Sequence, residues 1–118
     1  MALSTRDGRR RGTARPKRRL KTLEEILTVL RSGLPELRSK HHIRTLAVFG
    51  SYVRGDRRAR SDLDLLVDFE KSPGLIEFIR IEEEIGRLVG MKVDLISRGA
   101  LRPDRDATRN ILQEAVAV

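Results

Sequence analysis

Two aspartates alternate with leucines at the start of an apolar segment. Residues 61–67 read SDLDLLV, so Asp62 and Asp64 stand two positions apart. In a β-strand such residues project to the same face, roughly 7 Å apart at about 3.3 Å per residue. Neighbouring carboxylates in an apolar setting raise each other's proton affinity, and a bound divalent cation removes that cost. Carboxylate oxygens at a strand end suit Mg²⁺, which completes its coordination with water and phosphate.

A third acid stands in a similar setting. Residues 91–96 read MKVDLI, so Asp94 is a single acid in an apolar segment. If this strand lies beside that of Asp62 and Asp64, the three carboxylates could hold two metal ions about 4 Å apart. One ion would bind a nucleoside triphosphate, and the other would lower the pKa of an attacking hydroxyl. Two alternatives to a metal site stay open: Asp62 and Asp64 could lie at a solvated sheet edge, or the arginines of the preceding loop could neutralise them.

A glycine-serine turn lies a short distance before Asp62 in the sequence. Gly50 and Ser51 directly follow an apolar run that ends at Phe49, and Arg54 lies one helical turn later. Glycine lets the backbone approach a ligand, and the N–H groups at a helix start attract anions. Ser51 could donate its hydroxyl to a phosphate oxygen, and Arg54 its guanidinium. The turn and the aspartates together therefore predict a site for a metal-bound nucleotide.

The spacing of apolar residues and turns indicates the elements that position these residues. We expect a helix over 22–31 that begins with a Thr22–Glu25 capping box and is ended by Gly33 and Pro35. Strands are expected over 43–49, 62–69 and 91–97, with a helical turn closed by Gly55 and an arginine-rich loop over 56–61. Two further helices are expected over 75–89 and about 106–116; their predicted buried stripes are Leu75, Ile79, Ile81 and Ile85 to Leu88, and then Ile111, Leu112 and Ala115. This order predicts an α+β fold, a small mixed β-sheet with helices packed on it.

Charge and length divide the chain into two parts. Residues 1–19 hold eight Lys or Arg and one acid, and so carry +7 of the formal net charge of +8. We expect them to be a disordered basic tail, followed by one domain over 20–118. There is no cysteine, which excludes disulfides and a thiol nucleophile and suits a cytoplasmic protein. No apolar stretch approaches the ~20 residues of a membrane span, so we expect no membrane association.

The combined motifs resemble a known family. The GSYVRG of 50–55 followed by the SDLDLLV of 61–67 resembles the signature of the polymerase-beta-like nucleotidyltransferase superfamily. The short chain and the acid in KVDLI (92–96) narrow the resemblance to the minimal nucleotidyltransferases, and 101–115 is also similar to them. The resemblance covers about residues 22–118.

The resemblance implies a function as well as a fold. Many members of this family are antitoxins encoded beside a helical HEPN ribonuclease toxin, and the better understood ones use ATP and Mg²⁺ to transfer AMP to a toxin tyrosine. By resemblance, Asp62 and Asp64 would bind both metal ions, and Asp94 would complete the second metal site and act on the acceptor hydroxyl. Gly50 and Ser51 would hold the triphosphate.

Two other functions stay open. The chain could be a non-catalytic antitoxin that neutralises its partner by stoichiometric binding. It could also bind nucleic acid through the basic tail, with salt-sensitive affinity, although the tail has no aromatic residue to stack on bases. Among the remaining residues, Tyr52 is expected to stack on the nucleobase or pack beside the turn. His41 and His42 are expected at the surface or at a strand entry, and 82–84 as a solvated acidic face.

Overall fold

A four-stranded mixed sheet forms the centre of the protein, in a computed structural model that describes residues 21–55 and 62–118. The strands are β1 (Ile43–Phe49), β2 (Leu63–Phe69), β3 (Val93–Ser97) and β4 (Val116–Ala117), in the spatial order β3-β2-β1-β4. β1 pairs antiparallel with β2 and β4, while β2 and β3 are parallel. The helices are α1 (Leu23–His41), α2 (Ser51–Arg54), α3 (Leu75–Val89) and α4 (Asp106–Glu114). The predicted α+β class is confirmed.

The two faces of β2 have different environments. Leu63, Leu65 and Val67 are fully buried and join the main hydrophobic core with apolar side chains of α1 and α3. Of the alternate positions, Asp64 and Asp68 are half-buried, and Leu66 between them is buried. This strand therefore presents leucine and valine to the main core and two carboxylates, on either side of a buried leucine, to the opposite face.

Helix α1 is longer than predicted. The Thr22–Glu25 capping box is present, with both reciprocal hydrogen bonds formed. The helix nevertheless continues through Gly33 and Pro35 to His41, so the predicted end was wrong. Continuing it buries Leu34 and Leu37, and the carbonyl that Pro35 leaves without its helical donor belongs to the exposed Arg31. Gly33 serves packing instead, since a Cβ there would lie 2.6 Å from Leu88 Cδ2 of α3.

The predicted buried stripe of α3 was wrong in part. The bounds of the helix agree with the prediction, and Ile81, Ile85 and Val89 are buried. Leu75, Ile79 and Leu88 were expected in the stripe but are exposed by 73%, 42% and 39%. Ile81, Ile85 and Val89 are the fully covered part of the helix, while Phe78 packs at the edge of the core and Leu88 contacts α1 beside Gly33 with part of its side chain still exposed.

The end of the chain also differs from prediction. Helix α4 stops at Glu114, and Val116 and Ala117 form β4 beside Val48 and Ala47 of β1. The predicted stripe was wrong at Leu112, which is 41% exposed, whereas Ile111 and Ala115 are half-buried. A strand of two residues is too short to show a periodic pattern, and its pairing partner β1 is distant in sequence, so the local sequence does not indicate β4.

His41 lies inside the protein and not at its surface. It joins α1 to α3, with Nδ1 2.7 Å from Glu77 Oε2 and Nε2 3.0 Å from Glu84 Oε1. The expectation of a solvated acidic face was also wrong for Glu82, whose Oε2 accepts the Leu95 N–H of β3 at 2.8 Å. All three glutamates, Glu77, Glu82 and Glu84, hold neighbouring elements together.

Candidate active site

The turn between β1 and α2 is built on Gly50. This glycine has φ 82° and ψ −150°, a conformation that is essentially restricted to glycine. A Cβ at this position would also lie 2.2 Å from Asp64 Oδ2, so only a residue without a side chain fits. Gly55, at φ 84°, closes the short helix α2 as predicted. The glycine-serine turn therefore lies directly against the carboxylate of Asp64.

Strand pairing places the acids around this turn. Asp64 is the register partner of Phe49 on β1 and of Asp94 on β3, and Asp62 immediately precedes β2. Leu63 N–H donates to the Lys92 carbonyl at 2.9 Å, which ties the chain entering β2 to the chain entering β3. The structure thus brings Gly50, Asp62, Asp64 and Asp94 to one end of the sheet.

The carboxylates interact electrostatically. Burial raises the pKa of Asp64 above its ordinary value, and the charges of Asp94 and Asp62 raise it further. The Arg54 guanidinium opposes this rise in pKa, whereas the negative charge of Glu114 adds a smaller increase. Asp64 is half-buried, whereas Asp94 is exposed. Among the residues that the structure describes, the negative charge of these acids exceeds the positive charge of Arg54, which favours the binding of a cation.

The acids suit magnesium in donor chemistry and in position. Within residues 21–55 and 62–118, no three His, Cys, Asp or Glu side chains already converge into a metal-binding cluster. Asp64 and Asp94 are nonetheless paired across adjacent strands, which in a sheet lie about 4.8 Å apart, so side-chain rotation can bring their oxygens together. Carboxylate oxygens are among the hard oxygen ligands that Mg²⁺ prefers, with water and substrate phosphate in its remaining positions.

Glu114 also belongs to this site and was not among the residues expected from sequence. Its Oε2 accepts the Gly50 N–H at 2.7 Å, and both of its carboxylate oxygens lie 3.2 Å from Arg54 Nη1. Arg54 was expected to reach phosphate oxygens; here it pairs with this glutamate. The sequence does contain one indication of this residue. Glu114 is a single acid near Ile111, Leu112 and Val116, the same kind of apolar setting that singles out Asp94.

The other residues considered from sequence lie as follows. Ser51 begins α2 and is half-buried beside Gly50. Tyr52 is 2% exposed and belongs to the hydrophobic core, so of its two expected roles the structure favours packing. The arginine-rich loop and the basic tail lie outside the described residues. No helix in the described part of the chain is both long and apolar enough to cross a bilayer.

Comparison with known proteins identifies the family of this chain. Residues 30–118 match the family model of the nucleotidyltransferase domain. The protein adenylyltransferase MntA of Thermococcus cleftensis is 43% identical over 97 residues, which cover 82% of this chain and 96% of that protein. A solved structure described as a minimal nucleotidyltransferase is 35% identical, with a TM-score of 0.67, over 83% of this chain and 97% of the other.

A more distant likeness extends to a toxin–antitoxin complex with AMP-PNP. It has a TM-score of 0.58 at 18% identity, over 78% of this chain and 68% of the other, and so shows a shared fold. The fold and the matched range define a nucleotidyltransferase, and the chain belongs to the nucleotidyltransferase domain family. Within that family it is similar to protein adenylyltransferases such as MntA.

Proposed function

We propose that this protein transfers AMP from ATP to a hydroxyl of a partner protein in the cytoplasm and so acts as an antitoxin. The resemblance to minimal nucleotidyltransferases implies a HEPN-type toxin encoded nearby as the partner and a tyrosine as the acceptor. The observation that carries the proposal is the junction of the Gly50 turn with Asp64, which is itself in register with Asp94. The likeness to MntA, a protein adenylyltransferase, supports it.

Each residue of the site has a role in this proposal. Gly50 and Ser51 hold the triphosphate, because the turn lets phosphate approach the backbone closely. Asp62 and Asp64 would hold two Mg²⁺ ions, and Asp94 would complete the second metal site. When bound, Mg²⁺ would neutralise phosphate charge and lower the pKa of the acceptor hydroxyl. This division of roles agrees with the half-burial of Asp64 and the exposure of Asp94.

The reaction needs no covalent intermediate on the chain. The acceptor oxygen bonds to the α-phosphorus of ATP while the bond from that phosphorus to the pyrophosphate oxygen breaks. Asp94, exposed where an acceptor can approach, receives the hydroxyl proton, and pyrophosphate leaves. Catalysis then rests on in-line positioning and charge neutralisation.

The test is the mass of the partner after incubation with labelled ATP, Mg²⁺ and this protein. The product of the adjacent gene should gain one or more AMP units with the native chain and none with Asp62→Asn/Asp64→Asn. Asp68→Asn is the matched control, because Asp68 is a half-buried acid of the same strand that pairs with Arg44 at 3.3 Å. If the double variant still protects cells from the toxin as well as the native chain does, neutralisation is stoichiometric and the proposal fails.

A further inference from the structure

Glu114 contacts two groups that belong to the Gly50 turn. Its carboxylate accepts the Gly50 N–H at 2.7 Å and faces Arg54 Nη1 with both oxygens at 3.2 Å. Gly50 is buried, and the Glu114 side chain is only 22% exposed. Charge-assisted hydrogen bonds of this kind are about twice as strong as neutral ones.

The backbone on both sides of Glu114 is held in place. On one side α4 ends with the Ala115 N–H donating to the Ile111 carbonyl at 3.0 Å. On the other side, Val116 pairs with Val48 of β1. Glu114, the last residue of α4, lies two residues before Val116, and Gly50 lies two residues after Val48, so this pairing brings the end of α4 beside the Gly50 turn. The position of the Glu114 carboxylate at the turn is therefore set by the end of α4 and by the pairing of β4 with β1.

The turn is thus braced from two directions. Asp64 lies against the Gly50 α-carbon, and Glu114 holds the Gly50 N–H. A site whose donors are already oriented loses less free energy when a ligand binds, because the ordering cost has been met during folding.

We propose that Glu114 is a positioning residue of the nucleotide site, which holds the Gly50 backbone and the Arg54 guanidinium in the arrangement that receives the triphosphate. This inference rests on the proposed function, because it assumes that the turn binds ATP. It assigns the C-terminal segment a direct part in organising a site whose other residues come from β1, β2 and β3.

The test is direct binding of Mg²⁺ and α,β-methylene-ATP, whose α–β bridge cannot be cleaved, measured by calorimetry on the full chain. Glu114→Ala should weaken binding by about tenfold, because the cost of ordering the Gly50 turn and the Arg54 side chain would then be met on binding and not on folding. Glu114→Gln keeps an oxygen that can accept the Gly50 N–H and should recover most of the affinity. Gln113→Ala, an exposed neighbour on the same helix, should bind as the native chain does.

A second readout does not involve nucleotide. The amide hydrogen of Gly50 should exchange faster in Glu114→Ala than in the native chain, while exchange in the core of β2 is unchanged. If Glu114→Ala does not fold, Glu114→Gln combined with Arg54→Gln serves instead, and the two substitutions should weaken binding by less than the sum of their separate effects.

The outcomes separate this inference from the proposed function. If the native chain binds the nucleotide and folded Glu114→Ala binds it equally or more tightly, the positioning role is refuted. Tighter binding would make the carboxylate a competitor of phosphate. If the native chain binds no nucleotide, the proposed function fails and takes this inference with it.

Discussion

Replacing Gly50 by alanine would place a methyl group 2.2 Å from Asp64 Oδ2 and 3.0 Å from its Cγ. The new side chain therefore overlaps the carboxylate by about 1 Å relative to ordinary van der Waals contact. The backbone adds a second penalty, because φ 82° with ψ −150° costs a non-glycine residue on the order of 1–3 kcal/mol. Relief of the clash by moving Asp64 costs about 1–3 kcal/mol more.

The consequence for function is larger than the consequence for folding. A displacement of about 1 Å at a reacting group can lower the rate about 100-fold. We expect Gly50→Ala to lose about 2–5 kcal/mol of unfolding free energy in urea and about 100-fold or more in AMP transfer. Gly55→Ala is the control, because Gly55 has a similar φ of 84° but nothing within 4 Å of its added Cβ. That variant should lose stability through strain alone and keep most of its activity.

Comparison of Gly50→Ala with Gly55→Ala separates the effect of the Asp64 contact from the effect of backbone strain. If Gly50→Ala and Gly55→Ala lose the same activity and the same stability, contact with Asp64 has no functional role. Full activity of Gly50→Ala would also show that the close approach of the turn to the carboxylate is not needed for the reaction.

The remaining predictions concern charge and the tail. Since burial and neighbouring acids raise the pKa of Asp64, ionising it disfavours the folded state, and Asp64→Asn should raise the Tm of the metal-free protein at neutral pH while abolishing transfer. The hydrogen bond from His41 lowers the pKa of Glu84 below 4.5, so this contact stabilises the fold above about pH 4.5 and is lost as the pH falls further. Denaturant titrations of native and His41→Ala chains should therefore converge in acid. Deletion of residues 1–19 should leave AMP transfer unchanged.

Each of these predictions has an outcome that contradicts it. A lower Tm for Asp64→Asn would show that the carboxylate stabilises the apo fold. A constant stability difference between native and His41→Ala chains down to pH 3 would exclude a contribution from Glu84 ionisation. Loss of transfer after deletion of the tail would give that segment a role in partner binding.

Much of the site could be predicted from local sequence. Strand alternation is a property of the chain itself, and from it Asp62 and Asp64 were expected on one face; Asp64 lies in β2 and Asp62 immediately before it. The glycine-serine turn follows from the abrupt end of an apolar run. The capping box at Thr22 is equally local, since its partner Glu25 is three residues away. The adjacency of the second and third strands was an assumption, which the Asp64–Asp94 register confirms.

The errors arose where tertiary packing overrode a local rule. Pro35 usually ends a helix, but burial of Leu34 and Leu37 favours continuing it. Leu75 matches the periodicity of a buried face, yet it is exposed, because periodicity identifies an apolar stripe without saying what covers it.

Local sequence was enough to predict the strand that carries Asp64 and the turn at Gly50, because each depends on residues within a few positions of one another. The α+β class followed from the order of such elements along the chain. Only the tertiary structure brought Glu114 to the Gly50 N–H, across 64 positions of sequence. That contact depends on β4 pairing with the edge of β1. A single acid among apolar residues can draw attention to Glu114, but hydrogen bonds between distant segments leave no periodic pattern in either one, so its partner Gly50 is identified only in the folded chain.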